Sequence, residues 1–220
     1  MGACCGGSEV RRREHIWLRP FKFLLTGMLA VALSATTTHG DETAPQAVIE
    51  GLHGTLLEVM QAADELGYQG RYDRLAPVLY ESYDFAFMTR IAVGSAWRQL
   101  DQAEQARLTD LFAEMSIAHY AARFDGFGGE HFETIGQGPG PRDAIVVESR
   151  LVRPQDEPVG LDYVLRQDDD AWRIIDVLLE AKFSELARQK AEFAAVLRAG
   201  GVASLVATLE QKIEELAGDS

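Results

Sequence analysis

The chain has 220 residues, of which 47% are hydrophobic and 25% are charged, values typical of a globular protein. Acidic side chains outnumber basic ones by 34 to 21, which gives a formal net charge of −13. Such a surface repels nucleic acid and anionic membrane faces. We therefore expect no nucleic-acid partner and no flat adsorption on phospholipid headgroups.

The first 40 residues have the layout of a secretory signal peptide. Five basic residues precede an uncharged apolar run of 13 residues, 23–35, and small residues then lead to Gly40. The run is short for a transmembrane helix, which needs about 20 residues. We predict export to the periplasm, cleavage after Gly40, and a single mature domain spanning residues 41–220 without stable membrane insertion.

Removal of this segment changes the chemistry of the mature chain. Both cysteines, Cys4 and Cys5, are lost with it, so no disulfide is available and packing must stabilise the domain. The mature chain keeps 16 basic and 32 acidic side chains, a net charge of −16. If the domain handles lipid, we expect it to receive the lipid from a protein partner or to hold it in its interior.

Helical periodicity dominates the next part of the chain. Apolar residues recur at three- and four-residue spacing over residues 44–63, 71–94 and 101–124. Gly67 and Gly70 interrupt the pattern, and Pro77 is expected in the first turn of the second helix. Asp101 followed by Glu104 predicts a capping box at the start of the third helix.

The period changes to two after the glycines at 126, 128 and 129. Four strands are predicted, at residues 131–135, 144–152, 159–167 and 171–179. Alternation places the following residues on the covered face: Ile145, Val147 and Leu151, then Leu161, Tyr163 and Leu165, then Trp172 and Ile174.

Helical segments separated by Ala199, Gly200 and Gly201 end the chain. Helices, a strand meander and helices in this order predict an α+β fold. We expect a curved four-stranded antiparallel sheet packed with N-terminal and C-terminal helices around an apolar cavity.

Motifs for catalysis or metal binding are scarce. His53, His119 and His131 lack metal-ligand spacing, and the chain contains no HExxH, CxxC or GxSxG. The GFGG sequence at residues 126–129 lacks the strand-before-helix setting of a phosphate loop. We expect no catalytic residue, no metal ion and no cofactor.

Two blocks of the chain carry a family resemblance. The first has an aromatic-Asp-Phe trio, a Met, a Gly, a Trp-Arg pair and a helix ending in a tyrosine, at Tyr83, Asp84, Phe85, Met88, Gly94, Trp97, Arg98 and Tyr120. The second follows a W-x-I-x-D-V pattern, at Trp172, Ile174, Asp176, Val177, Phe193, Gly200 and Leu205. In order and spacing these blocks resemble the toluene-tolerance, MlaC-type family of periplasmic lipid carriers.

One departure from the family pattern affects the expected identity of the lipid. Most phospholipid-shuttle members have a Gly-Val-Ser motif after the Asp-Val strand, whereas residues 180–186 read EAKFSEL, with Ala181 near the glycine position. This pattern is more similar to the hopanoid-biosynthesis-associated, HpnM-like branch. The resemblance therefore leaves a phospholipid and a hopanoid as alternative ligands.

The resemblance implies an NTF2-like cone that holds a phospholipid or hopanoid between sheet and helices. It further implies exchange of that lipid between an inner-membrane lipid transporter and an outer-membrane acceptor. From the direction in which each side chain is expected to face, we predict that ten residues form the walls of the cavity: Phe85, Met88, Ile91, Trp97, Met115, Ile145, Val147, Leu161, Tyr163 and Trp172.

Two alternatives remain open. A small NTF2-like enzyme would use Asp176 or Tyr163 as acid or base and would direct a carboxylate with a strongly shifted pKa into the cavity. Asp162 is expected to face solvent because it alternates with Leu161 and Tyr163. A ligand-free adaptor of an envelope lipid transporter would have a packed core and an exposed apolar patch.

Overall fold

The computed structural model describes residues 44–169 and 171–218, so the predicted signal peptide and its cleavage point lie outside the described residues. These residues belong to one compact unit, Gly40–Ser220. The elements are α1 (Pro45–Gln61), α2 (Ala63–Ser82), α3 (Phe85–Val93), a 3₁₀ helix (Gly94–Gln99), α4 (Gln102–Arg123), β1 (His131–Pro139), β2 (Ile145–Arg153), β3 (Asp156–Asp168), β4 (Ala171–Leu179), β5 (Phe183–Ser184) and α5 (Glu185–Gly218).

The strands form one antiparallel sheet in the order β1-β2-β3-β4-β5. The α+β fold with four antiparallel strands is therefore confirmed, and the two-residue β5 adds a fifth strand at one edge. β1 is longer than expected, because residues 136–139, interpreted as a connector, continue its pairing with β2. A register shift between Thr134 and Gly136 turns Ile135 outward, where it is 60% exposed.

The second predicted helix, residues 71–94, differs in three respects. It is not continuous, because Tyr83 and Asp84 separate α2 from α3. Residues 63–82 are helical apart from a kink at Gly67, where φ is 59°, whereas Gly70 does not interrupt the helix. Pro77 lies well inside α2, so its placement in a first turn is wrong. Leu75 and Leu79 on either side are fully buried, and this core packing outweighs the low helix propensity of proline.

The helix α1 lies against the inner face of the sheet and contacts β1, β2 and β4. Its Ile49, Leu52, Leu56 and Val59 side chains are fully buried. Full burial of each such side chain contributes about 1.5–3 kcal/mol. The sheet meets them with buried residues of the predicted face: Val147, Tyr163, Leu165 and Ile174.

The helix α5 is the one described helix long and apolar enough to cross a membrane by length and composition. Gly201 interrupts its helical conformation, with φ 68° and ψ −163°, as the glycines in the sequence predicted. Phe193, Leu205 and Leu209 are buried, and α5 packs against α3 and α4. These side chains contribute to the core of the domain, whereas only 17% of the most apolar stretch of α5 is buried.

Asp84 joins the helices to the sheet. Its carboxylate accepts hydrogen bonds from the Phe87 backbone N–H at 2.9 Å and from Arg166 Nη2 at 2.7 Å. Its own backbone N–H donates to the Ile174 carbonyl at 2.9 Å. The Arg166 guanidinium also lies over the Phe87 ring, 4.4 Å from its centroid. One side chain therefore caps α3 and holds α3 to β3.

We expect Asp84→Ala to lower the free energy of unfolding by about 2–3 kcal/mol, because it removes a helix cap and leaves Arg166 unpaired. The matched control is Glu58→Ala, which removes an ion pair with Arg74 whose side chains are both 62% exposed. That change should cost less than about 1 kcal/mol. Urea unfolding measures the loss of unfolding free energy in each variant. Equal losses in Asp84→Ala and Glu58→Ala would contradict the role given to Asp84.

Candidate functional site

Two open grooves flank α1. The α1–β1 groove has a volume of about 440 Å³ and is lined by Gln46, Glu50, His53, Gly54, Leu57, Phe132 and Thr134. The α1–β4 groove has about 340 Å³ and is lined by Ala47, Val48, Gly51, Leu52, Val78, Glu81, Ser82, Ala171, Trp172 and Arg173. The first lies between α1 and β1, whereas the second is also lined by Val78, Glu81 and Ser82 of α2.

A stacked pair of rings closes the inner end of the α1–β1 groove. The imidazole of His53 lies parallel to the Phe132 ring, with centroids 4.0 Å apart and an interplanar angle of 9°. Beneath them, His53 Nε2 and the Tyr163 hydroxyl form a hydrogen bond of 3.2 Å. His53 is 4% exposed, and burial lowers its pKa to about 4, so the imidazole is neutral at pH 7.

An aromatic row continues from this pair into the interior. Neighbouring rings lie between 5.4 and 6.4 Å apart along Phe132, Phe124, Tyr120, Tyr83, Phe85, Phe112 and Phe193. Within the row, the hydroxyls of Tyr83 and Tyr120 are hydrogen-bonded. Burial raises the pKa of both phenols and of Tyr163, so all three are uncharged at pH 7.

The ten predicted wall residues lie in three places. Ile145, Val147, Leu161 and Tyr163 are on strands β2 and β3, and Trp172 on β4 lines the α1–β4 groove. Phe85, Met88 and Met115 belong to the buried core, while Ile91 and Trp97 are partly buried against it. None of the ten lines the α1–β1 groove, and Tyr163 is hydrogen-bonded to its lining residue His53. Their role as lipid-contacting walls stays a prediction.

None of the seven residues that line the α1–β1 groove was among the ten candidates, and His53, Leu57 and Phe132 are the aromatic and apolar ones. The signal for His53 was present, since it directly follows Leu52 on the apolar face that Ile49, Leu52 and Leu56 define. A histidine beside a buried helical stripe is ambiguous from sequence. His53 becomes part of the site because it stacks on the ring of Phe132, and that ring lies on a strand nearly 80 residues later in the chain.

Asp176, the candidate acid or base, has a structural role here. One carboxylate oxygen accepts from the backbone N–H groups of Val177 and Leu186 at 2.8 and 3.1 Å, and the other accepts from the Ser184 hydroxyl at 2.6 Å. These bonds join β4 to the start of α5. Among the described residues, no group of three His, Cys, Asp or Glu side chains could hold a metal ion.

Comparison with known proteins gives two matches. The family model described as "MlaC protein" matches residues 50–211. Among solved structures, the chain is similar to a phospholipid-binding protein from Ralstonia solanacearum in complex with a phospholipid, with 24% identity and a TM-score of 0.69. That match covers 79% of this chain and 98% of the other, and at this identity it shows the fold. A comparison with the curated proteins finds no match.

The low pKa of His53 makes the stability of the domain depend on pH. Between pH 6.5 and about 4 the unfolded chain binds a proton at this position and the folded chain does not, so stability falls as the pH falls through this window. We expect the His53 contribution to decrease by about 2 kcal/mol between pH 7 and pH 4.5, at about 1.4 kcal/mol per unit.

The measurement compares the free energy of unfolding of the wild type and His53→Phe at both pH values. The phenylalanine keeps a flat ring against Phe132 and cannot titrate. The difference in unfolding free energy between the two proteins therefore reports the titration of His53, because the carboxylates contribute equally to both. An unchanged difference at the two pH values would show that His53 does not titrate as described.

Proposed function

Since the chain belongs to the MlaC family, we propose that it is a periplasmic lipid carrier that takes up a phospholipid through the α1–β1 groove. The phospholipid-binding protein from Ralstonia solanacearum supports the choice of ligand, because it has the same fold and was solved with a phospholipid bound. The observation that carries the proposal is the position of the groove, which ends on two rings with an aromatic row behind them.

Apolar burial provides the driving force. Each methylene removed from water contributes about 0.8 kcal/mol, so an acyl chain that enters the interior recovers most of what it loses on leaving a bilayer. A chain needs apolar surroundings and no catalytic group. The interior supplies the aromatic row, whose phenols are uncharged at pH 7.

We infer that entry requires His53 and Phe132 to separate. They lie on different elements, α1 and β1, so a small outward shift of α1 parts the rings without breaking the sheet. The path then leads to Tyr163 and Val147, two of the predicted wall residues, which are paired across β2 and β3. The ten predicted residues are accordingly proposed as the walls of the opened, lipid-bound form.

The proposed shuttle acts between an inner-membrane transporter and an outer-membrane acceptor. The mature net charge of −16 disfavours direct adsorption on anionic lipid surfaces, so delivery by protein partners is the favoured route. The signal peptide predicted at residues 1–40 would place the domain in the periplasm. A hopanoid remains the second ligand candidate, on the pattern of residues 180–186.

The exposed apolar residues give less support to the alternative that the protein is a ligand-free adaptor. The exposed large hydrophobic side chains of the described residues are Tyr80, Phe127, Ile135 and Phe183. Ile135 lies on β1 and Phe183 on β5, at opposite edges of the sheet. Single exposed residues on separate elements are weaker evidence for a docking surface than a contiguous apolar patch would be.

Native mass spectrometry of the protein purified after export tests the proposal. We expect an added mass that matches a phospholipid, released on denaturation and identified by lipid extraction. A hopanoid in the extract would keep the carrier function and change the ligand. Absence of any bound lipid, together with failure to take up either lipid from vesicles, would reject it.

Gly54 provides a variant that narrows the entrance. A Cβ built at Gly54 meets nothing within 4 Å, so Gly54→Ala fits without a clash and stabilises α1 by about 0.5–1 kcal/mol. We expect Gly54→Leu to keep the stability gain but to slow phospholipid uptake several-fold, because its side chain projects at the rim of the α1–β1 groove.

Uptake from fluorescent vesicles measures this effect, with Gly54→Ala as the matched control. Both variants remove the flexibility of glycine, and they differ in the bulk placed at the entrance. Equal uptake rates for the alanine and leucine variants would argue against entry by the α1–β1 groove.

A further inference from the structure

The His53–Tyr163 pair has one hydrogen-bond donor more than it uses. A neutral imidazole carries one N–H and a phenol carries one O–H, so the pair holds two donors. Their mutual bond consumes one of them, whichever tautomer the histidine adopts. Among the described residues, neither side chain has a second hydrogen-bond partner. The donor left over is His53 Nδ1–H, on a residue that lines the α1–β1 groove, when the Tyr163 hydroxyl donates, and it is the Tyr163 O–H directly behind that residue when Nε2–H donates.

The surroundings of this donor select the kind of acceptor. Glu50 is the one charged side chain in the lining of the α1–β1 groove, and no arginine or lysine lines it. A phosphate would meet a carboxylate there and find no countercharge, which is unfavourable. The fitting partner is an uncharged oxygen that lies between a polar head and apolar chains.

We propose that the spare donor of the His53–Tyr163 pair binds an ester carbonyl oxygen of the lipid, with the phosphate left outside the groove in solvent. This inference rests on the proposed carrier function. In a glycerophospholipid the ester carbonyls lie at the junction of head and chains. The pair occupies the corresponding place in the protein, between an open groove and the aromatic row.

The bond gives the site a chemical preference. A phospholipid with ether-linked chains has the same head and chain lengths but lacks the carbonyl oxygens. When the ether-linked lipid binds, the spare donor of the His53–Tyr163 pair is buried without an acceptor. The free-energy penalty corresponds to roughly a tenfold loss of affinity. The site therefore distinguishes ester-linked from ether-linked lipids.

The test compares the dissociation constants of a diester and a diether phosphatidylcholine of equal chain length. The wild-type protein should bind the diester about tenfold more tightly. A His53→Phe/Tyr163→Phe double variant removes both donors together, because either single variant would keep one. Apolar rings of similar shape in place of both partners preserve the fold, since no polar group is left unpaired. We expect this variant to bind the two lipids equally.

Thr89→Val is the control. It removes a buried hydroxyl that donates to the Phe85 carbonyl at 2.7 Å, and Thr89 neither lines the α1–β1 groove nor belongs to the aromatic row. It should keep the tenfold preference. Equal binding of the two lipids by the wild type, a preference retained by the double variant, or a preference lost in Thr89→Val would each overturn the assignment. Binding of neither lipid by the wild type would instead reject the carriage of phospholipid on which this inference rests.

Discussion

The packing of α1 on the inner face of the sheet is the constraint on which the rest of the structure depends. Four fully buried side chains, Ile49, Leu52, Leu56 and Val59, fix the helix there. One groove lies between α1 and β1, and the other lies where α1, α2 and β4 meet. The same packing brings His53 over Phe132 and onto Tyr163, and so determines how one groove is closed at its inner end.

The buried titratable groups behind the α1–β1 groove are neutral, which suits an amphiphilic ligand. Acidic side chains dominate the composition, while burial holds the nearby interior groups, His53, Tyr83, Tyr120 and Tyr163, in their neutral forms at pH 7. An incoming acyl chain then meets apolar surface and neutral hydrogen-bonding groups. Entry of the charged head group is unfavourable, because the lining of the α1–β1 groove contains no arginine or lysine to pair with its phosphate.

Much of the architecture was predictable from the sequence, because local patterns determine it. The Asp101–Glu104 capping box and the four strands follow from neighbouring residues. Pro77 was misplaced because burial of Leu75 and Leu79 extends the helix through it. The groove was not predictable, since its closing pair joins His53 to Phe132 over a long sequence separation, and no local pattern encodes which aromatic residue will face a given histidine.

Photo-crosslinking with a phospholipid that carries a diazirine in one acyl chain tests the central claim most directly. The account predicts labelled peptides from α1 and β1, around His53 and Phe132, and from the inner face of β2 and β3. Labelling of Gly54→Leu should be weaker at all of these positions. Labels confined to the outer surface of α5, or distributed over the surface without preference, would contradict uptake through the α1–β1 groove.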